Sequence, residues 1–313
     1  MLGRTANGLY WMYRYLERAE NTSRLVETGQ RLALTRLGSS DDEWRSVLQS
    51  AGVWEAYKAH NEHLTKDAAI DWMLRSPNNG SSVKCCLEAA RSNARSVRVA
   101  LTEESWEAVN GAYMELKELL SRKLRERDLP QALTRIRRHT ALVRGMTHGT
   151  MLRNDIYDFV RLGTFLERAD NTARILDVKY YVLLPSAFGV GSSIDNVQWE
   201  TILSSNSARG GYRMAYGNAV RPREVAHFLI LDRRMPRSLA FCVSKIRDNL
   251  AYLAEDYGGR SPSHDLADDL NRACAVHDID VIINEGLHEY LQDFLGRLGA
   301  LGRQIEIDYR FIE

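Results

Sequence analysis

The sequence predicts an all-α protein, an internally duplicated helical bundle whose two halves are related by a pseudo-twofold axis. Three observations carry that prediction. Most of the 313 residues follow a helical apolar period and draw on Ala, Leu, Glu and Arg, which form helices well. Strand signals are rare until the last few residues. One unusual segment also occurs twice: Leu16–Arg24 reads L-E-R-A-E-N-T-S-R and Leu166–Arg174 reads L-E-R-A-D-N-T-A-R, at an offset of 150. Self-similarity of this kind points to duplication.

The elements follow in order. A first helix over 4–36 carries the first signature, and 42–61 carries Trp44-x-x-Val47-Leu48. A short helix over 66–75 contains Trp72-x-Leu74, and 81–101 contains Ser82, Cys86, Arg91 and Asn93. Helices over 103–126 and 130–147 complete the first half. The second half repeats the order. The second signature falls in 152–183, Trp199-x-x-Ile202-Leu203 in 195–215, and Phe228-x-Ile230 in 221–232. Ser238, Cys242, Arg247 and Asn249 fall in 236–255, at an offset of 156 from their counterparts. Helices over 263–274 and 278–302 follow. Breaks are expected at Ser76–Ser81, Leu184–Ser193 and Tyr257–Ser263, where Gly, Pro, Asn and Ser cluster. The division is a first repeat over 1–150 and a second over 151–313, packed as one compact unit. In the tail, Ile305, Ile307, Tyr309 and Phe311 alternate with charged residues. That period of two predicts a strand over Gln304–Glu313, able to add to a neighbouring chain or partner.

The duplicated residues are charged, which packing alone does not require. On a helical wheel Arg14, Glu17, Asn21 and Arg24 share a face, with Glu20 beside them; Glu167, Asp170, Asn171 and Arg174 repeat it. Arg18 and Arg168, next to the two glutamates, complete the candidate network. Thr164 stands where the first copy has Arg14. Glu20–Arg24 and Asp170–Arg174 are spaced to pair within their helices. Glu17 and Arg24 lie about 10.5 Å apart along the axis, too far to pair with each other. An antiparallel packing of the two signatures would set Glu17 against Arg174 and Arg24 against Glu167. The network then reads either as structural ion pairs fixing register or as a polar cleft that holds a ligand.

Other signals are weaker. Glu224/His227 and Glu285/His288 are E-x-x-H pairs, and with Glu17 and Glu167 they could nominally form a carboxylate-bridged di-metal site. They do not occupy matched positions in the two halves, so no metal and no cofactor is assigned. His60 and His63 form an H-x-x-H on one expected helix. No nucleophile elbow, P-loop or dinucleotide fingerprint occurs. The stretch Ser121–Arg144 is basic without interleaved aromatics, which suits a solvated face or an acidic protein partner rather than nucleic acid. The formal charge is +1. The four cysteines have no metal or redox spacing and read as reduced thiols of a cytoplasmic protein. The first residues lack the apolar region of a signal peptide, and no run is long enough to span a membrane.

With these segments read, the chain resembles the alpha-E domain family, duplicated all-helical bacterial proteins. The resemblance rests on Leu9–Thr22, on Phe165–Arg174 with the following Asp177–Tyr180, on W-x-x-V/I-L, and on Gly286–Leu291, where His288 and Glu289 are secondary site candidates. It covers nearly the whole chain. It implies neighbours of the circularly permuted ATP-grasp and transglutaminase-like kinds, sometimes with a proteasome-related peptidase. The implied role is a helical partner or substrate holder in an amide-ligase or peptide-tagging system. An enzyme acting on a peptide or amide at the cleft is the other reading. The resemblance supplies no catalytic residue.

Overall fold

The computed structural model describes residues 1–33, 40–183 and 193–311. Among them are fifteen α-helices and no strand. The first half contains α1 (Gly3–Ala33), α2 (Ser40–Ser50), α3 (Trp54–His60), α4 (Lys66–Leu74), α5 (Val83–Ser96), α6 (Glu103–Leu119) and α7 (Leu129–Thr150). The second contains α8 (Asp155–Leu183), α9 (Ser193–Ser205), α10 (Arg209–Tyr216), α11 (Pro222–Ile230), α12 (Leu239–Tyr257), α13 (Pro262–Val276), α14 (Ile279–Glu285) and α15 (Leu287–Asp308). The expected break at Leu184–Ser193 lies almost wholly outside the described residues, as does the end of the 4–36 helix. Among the described residues no helix is long and apolar enough to cross a membrane.

Two long helices, α1 and α8, form the centre. Each has a close antiparallel partner. Along α5, Val97 meets Gly8 and Ser81 meets Thr22 of α1. Along α12, Phe241 meets Phe165 of α8, and the preceding Arg237 carbonyl meets Thr172. The last long helix of each half adds a third member. Helix α7 lies along α1 through Tyr13–Thr147 and Arg137–Glu27 contacts. Helix α15 lies along α8 through Phe159–Tyr309 and His288–Asp177. The apolar stripes of these helices merge into one core that includes Trp44, Trp72, Phe165, Trp199 and Phe228.

Helices α1 and α8 run parallel, not antiparallel as expected. Gly163 meets Tyr10, Glu167 meets Arg14, and Arg168 meets Glu17, so the contacts advance in the same direction on both. Gly163 makes that approach possible: a Cβ there would lie 2.2 Å from the carbonyl oxygen of Tyr10.

Three expected helices are each two. The 42–61 segment breaks at Gly52 (φ +69°), 195–215 at Ser207 (φ 51°), and 278–302 at Gly286 (φ 117°). Each is a left-handed or otherwise positive-φ residue that an α-helix cannot continue through. The expected tail strand is helix as far as Asp308. Helix α15 continues to Asp308, because Ile305 and Tyr309 are also one helical turn apart and pack inward together. Phe311 then folds back onto Tyr10 and Phe159. So anchored, the described part of the tail offers no free strand edge.

Candidate functional site

The two signatures meet through their Glu-Arg dipeptides. Arg168 grips Glu17 with Nε at 2.8 Å and Nη2 at 3.1 Å. Arg18 grips Glu167 in the same two-pronged way, at 2.6 and 2.9 Å. Bidentate geometry of this kind is the strongest form of the pair. The expected Glu17–Arg174 and Arg24–Glu167 contacts are not made. In a parallel pair, equivalent positions face each other, so Glu17 meets the residue beside Glu167. Arg24 and Arg174 instead close the turns within their own helices, onto Glu20 at 2.7 Å and Asp170 at 2.7 Å.

On one side of the helix pair the charges form a closed cluster. Arg144 of α7 reaches Glu17 at 2.8 Å and Glu20 at 2.7 Å. Arg237, just before α12, reaches Glu20 at 2.7 Å and Glu17 at 3.2 Å. Thr140 donates to Glu20 as well. Burial alone would push the Glu17 carboxyl up, but the guanidinium groups of Arg168, Arg237 and Arg144 outweigh it and hold it at about 2. Burial lowers Arg237 to about 10 despite Glu17 beside it.

On the other side the charges border an open cleft of about 280 Å³. Arg14, Arg18, Asn21, Glu167, Asp170, Asn171 and Arg174 line it, with Ser81 and Gly52 at its margin. Arg14 adds a 2.9 Å bond to Glu167, whose carboxyl is held at about 2 by Arg18 and Arg14 against the opposing effect of burial. Thr164, at the position equivalent to Arg14, donates to its own helix at Val160, so Glu17 receives Arg144 and Arg237 instead. Among the described residues, Nη1 of Arg18 and of Arg174 has no hydrogen-bond partner, and neither has the buried Nδ2 of Asn21 or Asn171. Cys86 and Cys242 stand behind the two arginine pairs. Burial pushes both thiols up to about 12, which keeps them protonated.

The remaining candidates lie elsewhere. His288 and Gln292 bind Asp177, further along α8, and Glu289 is exposed beside Gly286. Glu224 bonds Tyr212 and Arg221, and His227 bonds Tyr216. Among the described residues no three His, Cys, Asp or Glu side chains converge as a metal site would require. His60 ends α3 while His63 lies beyond the extended Asn61, so they share no helix face. The basic stretch divides: Arg137 and Arg144 turn inward to Glu27, Glu17 and Glu20, and Arg122, Arg125, Arg127, Arg135 and Arg138 stay exposed. Sequence reasoning missed Arg237 altogether. Its one signal was its place before the helix-capping Ser238, where the first half has Ser81.

Comparison with known proteins agrees with this architecture. The chain is similar to fumarate hydratase 2 of Leishmania major, 24% identical over 252 residues, covering 77% of this chain and 40% of that protein. It is also similar to uncharacterized proteins of Mycobacterium bovis and Mycobacterium tuberculosis, each 22% identical over 323 residues, covering 96% of this chain and 36% of the relative. It thus spans about two-fifths of the length of these relatives. No solved structure matches. A family described as a predicted alpha-helical domain with a conserved ER motif matches residues 1–309. With that match over nearly its whole length, and with Glu-Arg dipeptides joining its two central helices, the chain belongs to the Alpha-E family.

Proposed function

We propose that this chain is a substrate-holding helical partner of an ATP-grasp amide ligase or peptide-tagging system, with the cleft between the signature helices as the holding site. A transglutaminase-like peptidase is a further candidate partner. The observation that carries the reading is the contrast between the two sides of one helix pair. One side is sealed by arginine–carboxylate bonds; the other is open, with unused Arg18 and Arg174 N–H groups at its wall. Structural ion pairs alone would have no reason to leave one side open. Among the described residues neither Cys nor His lines the cleft, so its hydroxyls, Thr22 and Ser81, have no imidazole base there and the lining suits binding better than nucleophilic attack. The ligase partner comes from the family resemblance, and the exposed arginines between Arg122 and Arg138 are the candidate contact surface. A stable interface there would bury at least ~1,000 Å².

The test mixes the purified chain with an ATP-grasp partner, ATP and amino acids or peptides. ATP turnover or ligation should rise when the chain is added, and Arg174→Ala should reduce that effect without unfolding the protein. The likeness to a protein named fumarate hydratase 2 favours the other reading, an enzyme acting at the cleft. Turnover of a peptide, amide or fumarate by this chain alone, lost in Glu167→Gln, would replace the holding role with catalysis.

A further inference from the structure

We infer that the open cleft takes a guanidinium or ammonium group, the basic side chain or amino end of a ligand, in the position that Arg237 fills on the sealed side. This rests on reading the cleft as a holding site, and it does not depend on the ligase partner.

The protein contains its own template. Ser82 and Ser238 cap α5 and α12 alike, accepting from the backbone N–H three residues on. The residues before them are Ser81 and Arg237. The Ser81 carbonyl accepts from Thr22 at 3.3 Å, and the Arg237 carbonyl accepts from Thr172 at 2.8 Å. Thr22 and Thr172 hold the same place in the two signatures, so the backbones of Ser81 and Arg237 stand at equivalent points beside α1 and α8. From its point Arg237 crosses to the other helix, donates to Glu20 and the Asn21 Oδ1, and forms an ion pair with Glu17. The equivalent trio on the open side is Asp170, Glu167 and Asn171, and all three line the cleft with Ser81. Serine is too short to fill it.

The two sides also differ by one arginine. Glu17 and Glu20 are surrounded by Arg24, Arg144, Arg168 and Arg237. Among the described residues, Glu167 and Asp170 have Arg14, Arg18 and Arg174. Arg18 matches Arg168, Arg174 matches Arg24, and Arg14 takes the outer oxygen of Glu167 as Arg144 takes that of Glu17. The missing cation is the counterpart of Arg237. Asn171, 5% exposed, lines the cleft at the position equivalent to Asn21. Asn21 turns its Oδ1 to the Arg237 guanidinium, and Asn171 holds the matching amide against the cleft. At about 280 Å³ the cleft has room for a guanidinium and its adjoining methylenes.

Titration calorimetry with Nα-acetyl-L-arginine amide, which has no carboxylate, tests the inference. Inorganic phosphate and succinate form the anion arm. The blocked arginine should bind the wild-type chain saturably at one site. Ser81→Arg supplies the missing side chain from within. It should melt no lower than wild type and bind the probe at least about tenfold more weakly. Asn171→Leu removes the amide without adding charge and should weaken the probe too, so the result does not hang on one variant. Binding of phosphate or succinate in preference to the blocked arginine would overturn the inference in favour of an anion. Absence of probe binding to wild type, or equal binding by wild type and both variants, would overturn it outright. Because only this chain is present, a negative result in the ligase assay leaves the measurement standing.

Discussion

Glu17 shows why the matched charges in the sequence could not be read residue by residue. Its carboxylate, 3% exposed, meets Arg144, Arg168 and Arg237 at once. The sequence pointed to Glu17, Arg18, Glu167 and Arg168 because they recur, but the partners it offered, Arg174 for Glu17 and Arg24 for Glu167, are not the ones these glutamates have. Arg144 lay in a stretch that looked like a solvated face, and Arg237 sat outside every repeated motif. Their approach is set by tertiary packing, which a local pattern does not encode. Removing one member of such a cluster strands the others in low dielectric. Glu17→Ala should therefore cost ~3–5 kcal/mol. Glu55→Ala, which breaks an exposed pair with Lys58, should cost under ~1 kcal/mol. Calorimetric melting compares the two, and equal losses would refute a structural role for the cluster. Asp158 has the opposite problem. Burial, then Asp256 and Asp155, push its carboxyl up to about 7. An acid whose folded pKa is raised stabilises fully below its unfolded value near 4 and loses that contribution as pH rises through about 7. Asp158→Asn should thus raise the melting temperature at pH ~8, with the gain shrinking toward pH ~4. A gain of equal size at both values would count against the shift.

At the scale of elements, helix existence was legible and helix ends were not. Periodicity extended three helices through Gly52, Ser207 and Gly286, because a single positive-φ residue hardly disturbs an apolar period while it does end a helix. The tail failed for a related reason. Residues that alternate over a few positions also contain i,i+4 pairs, and the existing helix α15 decided between the two. Packing direction was likewise beyond a helical wheel, which gives the face of each helix and not its sense. The closeness of the crossing depends on Gly163, which carries no side chain for a wheel to place. Gly163→Ala should force α1 and α8 apart, since its Cβ would meet backbone rather than a flexible side chain, and cost on the order of 1–3 kcal/mol. Gly145→Ala, on α7 with open space around the new methyl, should instead stabilise by up to ~1 kcal/mol through helix propensity. Chemical denaturation of both variants checks the contrast. A neutral Gly163→Ala would mean that the central crossing tolerates a wider spacing.

For the whole molecule, the central charges make folding and acidity one problem. Helices α1, α7 and α8 and the segment before α12 all contribute to the sealed cluster, so elements from both halves meet at Glu17 and Glu20. The open side joins the same two central helices through Glu167. Each of these carboxyls is held below the ordinary glutamate value of 4.5, Glu17 and Glu167 at about 2, because the arginines around them outweigh burial. A carboxylate depressed in the folded state stabilises above its unfolded pKa, and that contribution disappears as pH falls through the folded value. Above pH ~5 these groups should leave the melting temperature nearly flat; between ~4.5 and ~2 it should fall steeply. Salt should change this little, since the pairs are buried and weakly screened. Glu17→Gln, tested together with Glu167→Gln, removes two of the titrating groups. The double variant should start from a lower melting temperature at neutral pH and lose less of it in acid. Parallel acid profiles for the double variant and wild type would show that the molecule's acid sensitivity arises outside the signature helices.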